Sequence, residues 1–595
     1  MDGMFTWLDW LVLAGYFVLI TSFGLWMARR IRSSGGYFLG ERKLPWWIMV
    51  GQAFSTGTHA ENPVAQTGAV FDKGFATIWF QWKNMLITPF YWLMAPWYRR
   101  CERTTIGEML DDRYGRGMAM LYTFFALCYF VFNQGAMMKG AGKAISIATG
   151  GQLLSANEVV VAMVAATMLY SFFGGLVACA YTDFIQGLLI IVLSFLLIPA
   201  GLQTVGGFAG MRQVLDESFF AVYSQVSGVG AFMIAMLTLN GLIGITAQPH
   251  ILTMNATGRN ERAGRIGQTY GSFVKRFCTI GWALTGLIVA ALVIQQGTRL
   301  EHKEDAFGYA CLHLLGPGLT GLMVACVLAA NMSTCSTFMV NAAALFTQNI
   351  YKQYFRPQAP DRELLLVGRL SAVGLLGLGV VFALLVHEVL QAFLFLETLP
   401  TFLGIAVMGG ILWKRANRYG AIWAAAVSFV VYYACNYLLS CRWQGQPADG
   451  VAAAIANLRH AWQADQLWHF LASGQWKLVY TWLPGPYGVS MLAGITVFIA
   501  VSLLTRPEDP QRIEQFFDNM LRTTDEETLP SGQAKPLAAE RGQDLLLLDL
   551  PGWLTAQRWR GFFRRYREDL VGFALSWVTV GLLIGCAWAI MQIGK

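Results

Sequence analysis

The sequence predicts an all-α polytopic membrane protein, and three observations support that class. Of its 595 residues, 55% are hydrophobic and only 13% are charged, whereas soluble domains carry about 25% charged residues. The apolar residues form runs long enough to cross a bilayer as helices, which takes roughly 20 residues. Short loops between these runs hold most of the basic residues. We therefore expect lipid to cover much of the surface.

The apolar runs predict about 14 transmembrane helices. Two joins, at 178–180 and 387–388, are tight enough that each pair of spans could form one long helix. The predicted spans are 9–27, 45–71, 75–98, 118–148, 157–178, 180–204, 229–254, 274–296, 317–349, 362–387, 388–412, 418–440, 486–504 and 569–592.

Basic residues predict how the chain is oriented. No Lys or Arg precedes the first span, and Arg29, Arg30 and Arg32 follow it. Positive charge accumulates on the cytoplasmic side, which predicts an N-terminus outside the cell and a location in the plasma membrane. The loops that follow alternate between loops rich in Lys and Arg and loops with few of them, as this orientation requires. The net charge of +8 therefore reflects topology, and we expect no nucleic-acid partner.

The second span carries an unusual group of polar residues. Gly57 and Pro63 disfavour a continuous helix there, and a break would free backbone groups that are tolerated only beside protein or a wet cavity. Broken helices near mid-membrane form the ion and solute sites of many secondary transporters. The polar residues at the centre of this span are Ser55, Thr56, Thr58, His59, Glu61 and Asn62.

The seventh span has a milder interruption. Asn240, Gly241 and Gly244 lie within it, and Gln248 and Pro249 follow. Two interrupted helices that start five spans apart indicate an inverted repeat, comprising spans two to six and seven to eleven. We interpret His250 mainly as a helix-end residue near the cytoplasmic face, with a ligand role as the alternative.

The ninth span is rich in alanine and hydroxyl side chains. Ser333 and Thr334 are adjacent, with Asn331, Ser336 and Thr337 nearby. Such hydroxyls often bond back to their own helix, but this pair, with carbonyls of a broken helix opposite, also suits a hard cation that prefers oxygen ligands. Sodium is the expected coupling ion, and no organic cofactor is predicted.

Several motifs in order resemble those of the sodium/solute symporter family. They are YFLGERKLPWW (37–47), TIGEMLDDRYG (105–115), YSFFGGLVACAYTDFIQGLL (170–189), AANMSTCSTFMVNAAALFTQNIYK (329–352) and RPEDPQRIEQFF (506–517). The resemblance implies a leucine-transporter-like fold of two inverted five-helix repeats. With it we divide the chain into an extra helix and first cytoplasmic loop (1–36), the repeats (37–228 and 229–417), additional helices (418–504, with an outer loop 441–485), a cytoplasmic loop (505–568) and a final helix (569–595).

The resemblance also implies site residues. The sodium ligands would be the hydroxyls of Ser333 and Thr334, the carbonyl of Ala330, and carbonyls near Ser55 and Thr58. Asn62 falls near a position that contacts substrate in the sugar carriers. Lys275 falls where a sugar carrier has a functional lysine, although a role as an anchor at the cytoplasmic edge remains open. The full predicted solute-binding set is Thr56, His59, Glu61, Asn62, Gln81, Trp82, Asn84, Asn240, Gln248 and Lys275.

These features together predict sodium-coupled symport of a small polar organic solute, such as a sugar, amino acid or carboxylate, by alternating access. Proton coupling through His59 and Glu61 is the first alternative, and a solute-binding transporter-like sensor is the second. No phosphate-binding GxxxxGK[ST] motif occurs, so we expect neither ATP-driven transport nor an enzyme. Monomer and homo-oligomer both remain open.

Overall fold

The computed structural model describes residues 5–29, 33–149, 156–224, 229–385, 389–440, 482–521 and 544–595. Within these ranges the chain is helical and has no β-strand, only two isolated bridges, Leu44 with Gly258 and Ser224 with Val229. The prediction of an all-α membrane protein is confirmed. The predicted outer loop falls largely on 441–481, and part of the predicted cytoplasmic loop falls on 522–543, both outside the described residues.

The first half of the chain contains the following helices. They are α1 (Trp7–Ala28), α2 (Ser34–Leu39), α3 (Trp46–Thr56), α4 (Glu61–Lys73), α5 (Trp79–Trp82), α6 (Thr88–Arg100), α7 (Ile106–Tyr114), α8 (Arg116–Ala148), α9 (Ala156–Phe195), α10 (Leu197–Val205) and α11 (Gly207–Val214), with 3-10 turns at Gly40–Arg42, Phe75–Ile78 and Glu217–Phe220.

The second half continues in the same way. Its helices are α12 (Ala231–Ala247), α13 (Ile251–Ala256), α14 (Glu261–Gln296), α15 (Ala306–Leu314), α16 (Leu319–Leu345), α17 (Asp361–Leu385), α18 (Val389–Leu412), α19 (Arg418–Ser440), α20 (Pro484–Leu504), α21 (Pro510–Leu521), α22 (Ala556–Trp559), α23 (Phe562–Arg565) and α24 (Arg567–Gln592), with 3-10 turns at Lys303–Asp305 and Leu550–Leu554 and a π-helical extension of α16 at Phe346–Phe355.

The described residues contain nine helices that are long and apolar enough to cross a membrane, so the count of fourteen is not confirmed. These nine coincide with predicted spans 1, 4, 6, 8, 9, 10, 12, 13 and 14. Spans 2, 3 and 7 correspond to pairs of shorter helices, and span 5 shares α9 with the start of span 6. Span 11 corresponds to α18, of which Thr398–Leu412 is counted among the shorter apolar helices.

A bend in α9 takes the place of the tight join predicted at 178–180. Gly175 has φ 49° and ψ −153°, outside the helical region, while the helix continues on both sides. A side chain there would meet Tyr37, whose backbone oxygen lies 2.6 Å from the Cβ position. Glycine therefore permits both the positive φ and the close approach of the chain. The second predicted join, at 387–388, lies within residues 386–388, which are outside the described residues.

The second span is interrupted where its sequence predicts a break. α3 ends at Thr56, α4 begins at Glu61, and residues 57–60 are not helical. Pro63 lies in the first turn of α4, where the missing N–H has no helical partner to lose. The seventh span is also interrupted, between α12 and α13, where Gln248, the residue before Pro249, has an extended ψ of 123°. The prediction that Asn240, Gly241 and Gly244 interrupt the helix is wrong, because α12 continues through all three.

Reciprocal contacts relate the two interrupted spans. α3 packs against α9, which contains predicted spans five and six, as α12 packs against α18, which is predicted span eleven. α3 and α4 also pack against α14, and α13 packs against α6. Each interrupted span therefore contacts the span that follows the other one, since α6 belongs to predicted span three and α14 to predicted span eight. α16 lies beside α8, α9 and α3, which brings its hydroxyl side chains to the first break.

Candidate functional site

Oxygen atoms of α3 and α16 meet at the first break. The hydroxyls of Ser55 and Ser333 are 2.6 Å apart. Thr334 donates from Oγ1 to the carbonyl oxygen of Thr56 at 3.1 Å and to that of Ala330 at 3.3 Å. All five residues are buried. The end of one helix and the middle of another therefore form a compact cluster of hydroxyl and carbonyl oxygens.

Thr58 takes a different place from the other predicted sodium ligands. Its hydroxyl donates to the carbonyl of Phe54 at 2.7 Å. That carbonyl belongs to the last turn of α3, where carbonyl groups lack helical partners. The side chain of Thr58 therefore caps the end of its own helix, while its hydroxyl oxygen keeps lone pairs and its backbone carbonyl lies in the break.

A buried carboxylate borders this oxygen cluster. Asp183 of α9 accepts hydrogen bonds at Oδ2 from Thr56 at 3.1 Å and from Thr337 at 3.0 Å. Among the described residues no hydrogen-bond partner reaches its Oδ1. Asp183 lies within the motif at 170–189 that resembles the family, but it was not among the predicted site residues. A carboxylate within an apolar run is itself a signal of function.

Three predicted solute-binding residues form a second cluster just beyond the break. His59 Nδ1 lies 2.5 Å from Glu61 Oε1. The backbone N–H of His59 donates to Asn62 Oδ1 at 3.2 Å, and Asn62 Nδ2 is 3.5 Å from Glu61 Oε1. All three side chains are buried. These mutual bonds hold the non-helical turn against the start of α4.

The two breaks meet at Phe338 of α16. The ring of His59 lies 6.2 Å from the Phe338 ring, and that of His250 lies 5.0 Å from it. Tyr129 of α8 stacks on His250 at 6.5 Å. His250 lies directly before α13, between the two helices of the interrupted span. However, it is buried beside the first break, a position that its own sequence neighbours do not reveal.

Helix α14 contacts the broken span and the third span through consecutive residues. Lys275 donates from Nζ to the carbonyl oxygen of Gly57. Arg276 donates from Nη1 to the carbonyl of Gln81 at 3.1 Å, and Trp82 Nε1 donates to the carbonyl of Arg276 at 3.0 Å. Lys275, Gln81 and Trp82 therefore lie in one connected region.

The remaining predicted residues lie around α12. A side chain at Gly241 would be 2.2 Å from Asn84 Oδ1, which places Asn84 against that helix. The carbonyl of Asn240 accepts from Thr401 at 3.4 Å. The carbonyl of Gln248 accepts from the N–H of Ile251 at 3.0 Å. Within the described residues, no hydrogen bond joins these side chains to the His59 cluster.

Comparison with known proteins agrees with this architecture. The family model described as the sodium:solute symporter family matches residues 37–427. The sodium/glucose cotransporter 2 of Rattus norvegicus is 27% identical over 468 residues, covering 70% of this chain and 69% of the relative. The osmoregulated proline transporter of Bacillus subtilis is 26% identical over 426 residues, covering 69% and 85%.

A solved structure gives the same picture of the fold. It shows a Na⁺-coupled sialic acid symporter in a substrate-bound outward-open state, with 15% identity and a TM-score of 0.67. The match covers 84% of this chain and 99% of the other. The fold is the leucine-transporter-like one that the sequence predicts.

Two interrupted helices around a buried polar centre, in this fold, define a secondary transporter. The chain belongs to the sodium:solute symporter family. It is a membrane transporter that couples sodium to the movement of a small solute by alternating access.

Proposed function

We propose that sodium binds between the end of α3 and the middle of α16. Its ligands are the backbone oxygens near Ser55 and Thr58, the carbonyl of Ala330, and the hydroxyls of Ser333 and Thr334. The observation that carries this assignment is the contact of Ser55 with Ser333 across two helices. A hard cation prefers oxygen ligands, and these atoms supply them without a direct carboxylate.

The solute pocket lies on the other side of the break. His59, Glu61 and Asn62 form its base, and Lys275 joins them through the Gly57 carbonyl. The remaining members extend the pocket toward spans three and seven, and are Gln81, Trp82, Asn84, Asn240 and Gln248. Thr56, predicted for the solute, belongs with the ion side, because its hydroxyl bonds Asp183.

The short segment 57–60 links the two sites. Sodium on one side of it fixes the end of α3 against α16, and solute on the other side fixes the start of α4. A ligand that orders a shared segment lowers the ordering cost for the second ligand. Sodium therefore favours the outward-open state and raises solute affinity, and inward sodium flow drives uptake.

We further propose that the protein works in the plasma membrane with its N-terminus outside. Arg29, Arg30 and Arg32 follow the first span without a basic residue before it, and charge of this kind stays on the cytoplasmic side. In this orientation the inward sodium gradient of the cell points in the direction of solute uptake.

Uptake into proteoliposomes tests the proposed function. Purified protein is reconstituted and offered radiolabelled D-glucose, L-proline, pyruvate or D-glucuronate under an inward gradient of sodium or of potassium. We expect at least one solute to accumulate transiently above equilibrium with sodium only. Equal accumulation with potassium would contradict sodium coupling.

Proton coupling is the second candidate, because His59 and Glu61 form a buried pair at 2.5 Å. The same liposomes test it with an inward proton gradient in potassium. Accumulation driven by that gradient, and lost in Glu61→Gln, would favour proton coupling over sodium coupling.

A further inference from the structure

The chain directly before the last membrane-spanning helix folds into a small unit, residues 550–567, which we call the juxtamembrane unit. α24 begins at Arg567 and is long and apolar enough to cross a membrane. The residues just before it form a 3-10 turn at Leu550–Leu554 and the short helices α22 and α23. Because the unit is continuous with a membrane-spanning helix, it lies where lipid meets water.

Aromatic rings give the juxtamembrane unit a defined shape. The ring of Trp553 lies 5.4 Å from that of Trp559 and 5.7 Å from that of Tyr566. The ring of Phe562 lies 5.4 Å from those of Trp559 and Tyr566. Trp559 also donates from Nε1 to the carbonyl of Trp553 at 2.9 Å. These contacts fix the directions in which the neighbouring side chains point.

Hydrogen bonds attach the unit to the membrane helices. Trp553 donates from Nε1 to the carbonyl of Leu546 at 3.2 Å, and the N–H of Leu546 donates to Asp569 of α24 at 3.0 Å. Trp97 of α6 donates from Nε1 to the next carbonyl, that of Leu547, at 2.9 Å. The unit is therefore held in place beside α6 and α24.

Most acidic side chains of this region are already paired. Five basic and four acidic residues lie between Asp544 and Asp569. Three of the four carboxylates form ion pairs, which are Asp544 with Arg565 at 2.6 Å, Asp549 with Lys414 at 3.6 Å and Asp569 with Arg265 at 2.5 Å. The remaining carboxylate, Glu568, is exposed and has no ion pair within the described residues.

Four arginines of the unit have no such partner. Arg558 donates to the carbonyl of Leu548 at 2.7 Å, which carries no net charge. Arg560, Arg564 and Arg567 are exposed, and no ion pair reaches them in the part of the chain that the structure describes. Four arginines against one free carboxylate leave the unit with an excess of positive charge.

Large apolar side chains are exposed between these arginines. Trp559 is 58% exposed and Phe563 is 80% exposed, and each is followed directly by an exposed arginine. Leu554 is 92% exposed. Exposed apolar and aromatic side chains interleaved with arginine are typical of segments that lie in the head-group region of a bilayer.

We propose that Arg560, Arg564 and Arg567 bind the head groups of anionic phospholipids. A guanidinium group forms paired, charge-assisted hydrogen bonds with phosphate oxygens, and a cluster of basic residues beside a membrane-spanning helix attracts anionic lipid. The rings of Trp559 and Phe563 lie at the level of the head groups. In the proposed orientation the lipid belongs to the cytoplasmic leaflet. The site is independent of the solute and of the coupling ion.

Native mass spectrometry of the full-length protein in detergent tests this site. The protein is titrated with dioleoylphosphatidylglycerol or with dioleoylphosphatidylcholine, and the affinity for the first bound lipid is measured. We expect the anionic lipid to bind at least about ten-fold more tightly, with a difference that shrinks as the ammonium acetate concentration rises. Free sn-glycerol 3-phosphate should not compete, because it has no acyl chain to place in the membrane.

Variants locate the lipid site. The triple variant Arg560→Gln/Arg564→Gln/Arg567→Gln should bind phosphatidylglycerol at least about ten-fold more weakly. The corresponding triple exchange to Lys should retain most of the affinity, because it keeps the charge. The matched control is Arg116→Gln/Arg299→Gln/Arg362→Gln, which removes the same charge from three exposed arginines that are scattered along the chain.

Four outcomes would overturn the proposal. They are equal affinity for the two lipids, an unchanged affinity for phosphatidylglycerol in the triple Gln variant, an equal loss in the control, and complete loss in the triple Lys variant. Competition by sn-glycerol 3-phosphate at the lipid's own concentration would also contradict it, because the site would then take a soluble phosphate. An equal Tm of the triple Gln variant and the control, without added lipid, shows that the change lies in binding and not in folding.

Discussion

Asp183 borders the proposed ion site without being one of its proposed ligands. Its carboxylate accepts hydrogen bonds from Thr56 of α3 and from Thr337 of α16. It therefore links the two helices that carry the proposed sodium ligands. It also places a carboxyl group, which can carry a negative charge, close to a site whose proposed ligands are uncharged.

Replacement of Asp183 by Asn should weaken sodium binding while preserving the fold. The amide oxygen can still accept the two hydroxyl bonds, but the negative charge is lost. An interaction with a charged group contributes about 1.5–3 kcal/mol, so we expect the sodium affinity to fall about ten-fold or more. The concentration of sodium that half-saturates the rise in Tm measures this change.

Asp72→Asn provides the control for that experiment. Asp72 is exposed and pairs with Lys303 at 3.5 Å, away from the break. An identical half-saturating sodium concentration in Asp183→Asn and Asp72→Asn would show that Asp183 does not act on sodium.

At the scale of elements, glycines of α14 let the broken helix pack closely. A Cβ at Gly267 would lie 2.5 Å from the Met49 side chain, and one at Gly271 would lie 2.8 Å from the carbonyl of Val50. These two glycines are four residues apart, the spacing of a close helix–helix approach in membranes. The position of α3 therefore depends on the absence of side chains along this stripe.

Gly271→Ala should destabilise the protein, because the nearest atoms to the new methyl group are the backbone oxygen of Val50, the Cβ of Ala53 and the backbone nitrogen of Phe54, none of which can rotate away. Overpacking of this kind costs about 1–3 kcal/mol, which we expect as a lower Tm in detergent. Gly377→Ala in α17 is the matched control, since no atom lies within 4 Å of its Cβ position. Equal stability of the two variants would contradict the proposed packing.

The sequence predicted elements well where local chemistry decides them. Gly57 and Pro63 predicted the first break, because both residue types act on their own backbone. The second break was predicted too early, at Asn240, Gly241 and Gly244, and lies instead beside Pro249. The count of spans was less predictable, since interrupted helices fall below the length that a membrane crossing requires. The bend at Gly175 also escaped prediction, because it depends on the close approach of Tyr37.

At the scale of the whole molecule, the breaks of the two halves meet beside α16. Phe338 contacts the histidines of both breaks, and Ser333 contacts the end of α3. The proposed ion and solute sites therefore involve helices from both halves of the chain. This is the arrangement that alternating access requires, because binding alters how the halves sit against each other.

Part of the candidate site could not be predicted from the sequence, because its residues come together from distant parts of the chain. The adjacent hydroxyls of Ser333 and Thr334 were visible as a pattern. The roles of Asp183, His250 and Phe338 depend on residues that are distant in the chain. No local pattern shows that they converge, although each is unusual for its surroundings.

The central claim is that sodium bridges α3 and α16 through Ser333 and Thr334. Binding of radioactive sodium to the purified protein tests it most directly, with the double variant Ser333→Ala/Thr334→Ala and the control Thr204→Ala/Thr579→Ala, whose hydroxyls are exposed. We predict saturable binding that potassium does not displace in the wild type and control, and an affinity at least about ten-fold lower in the double variant. Equal sodium affinity in the double variant and the control would contradict the account.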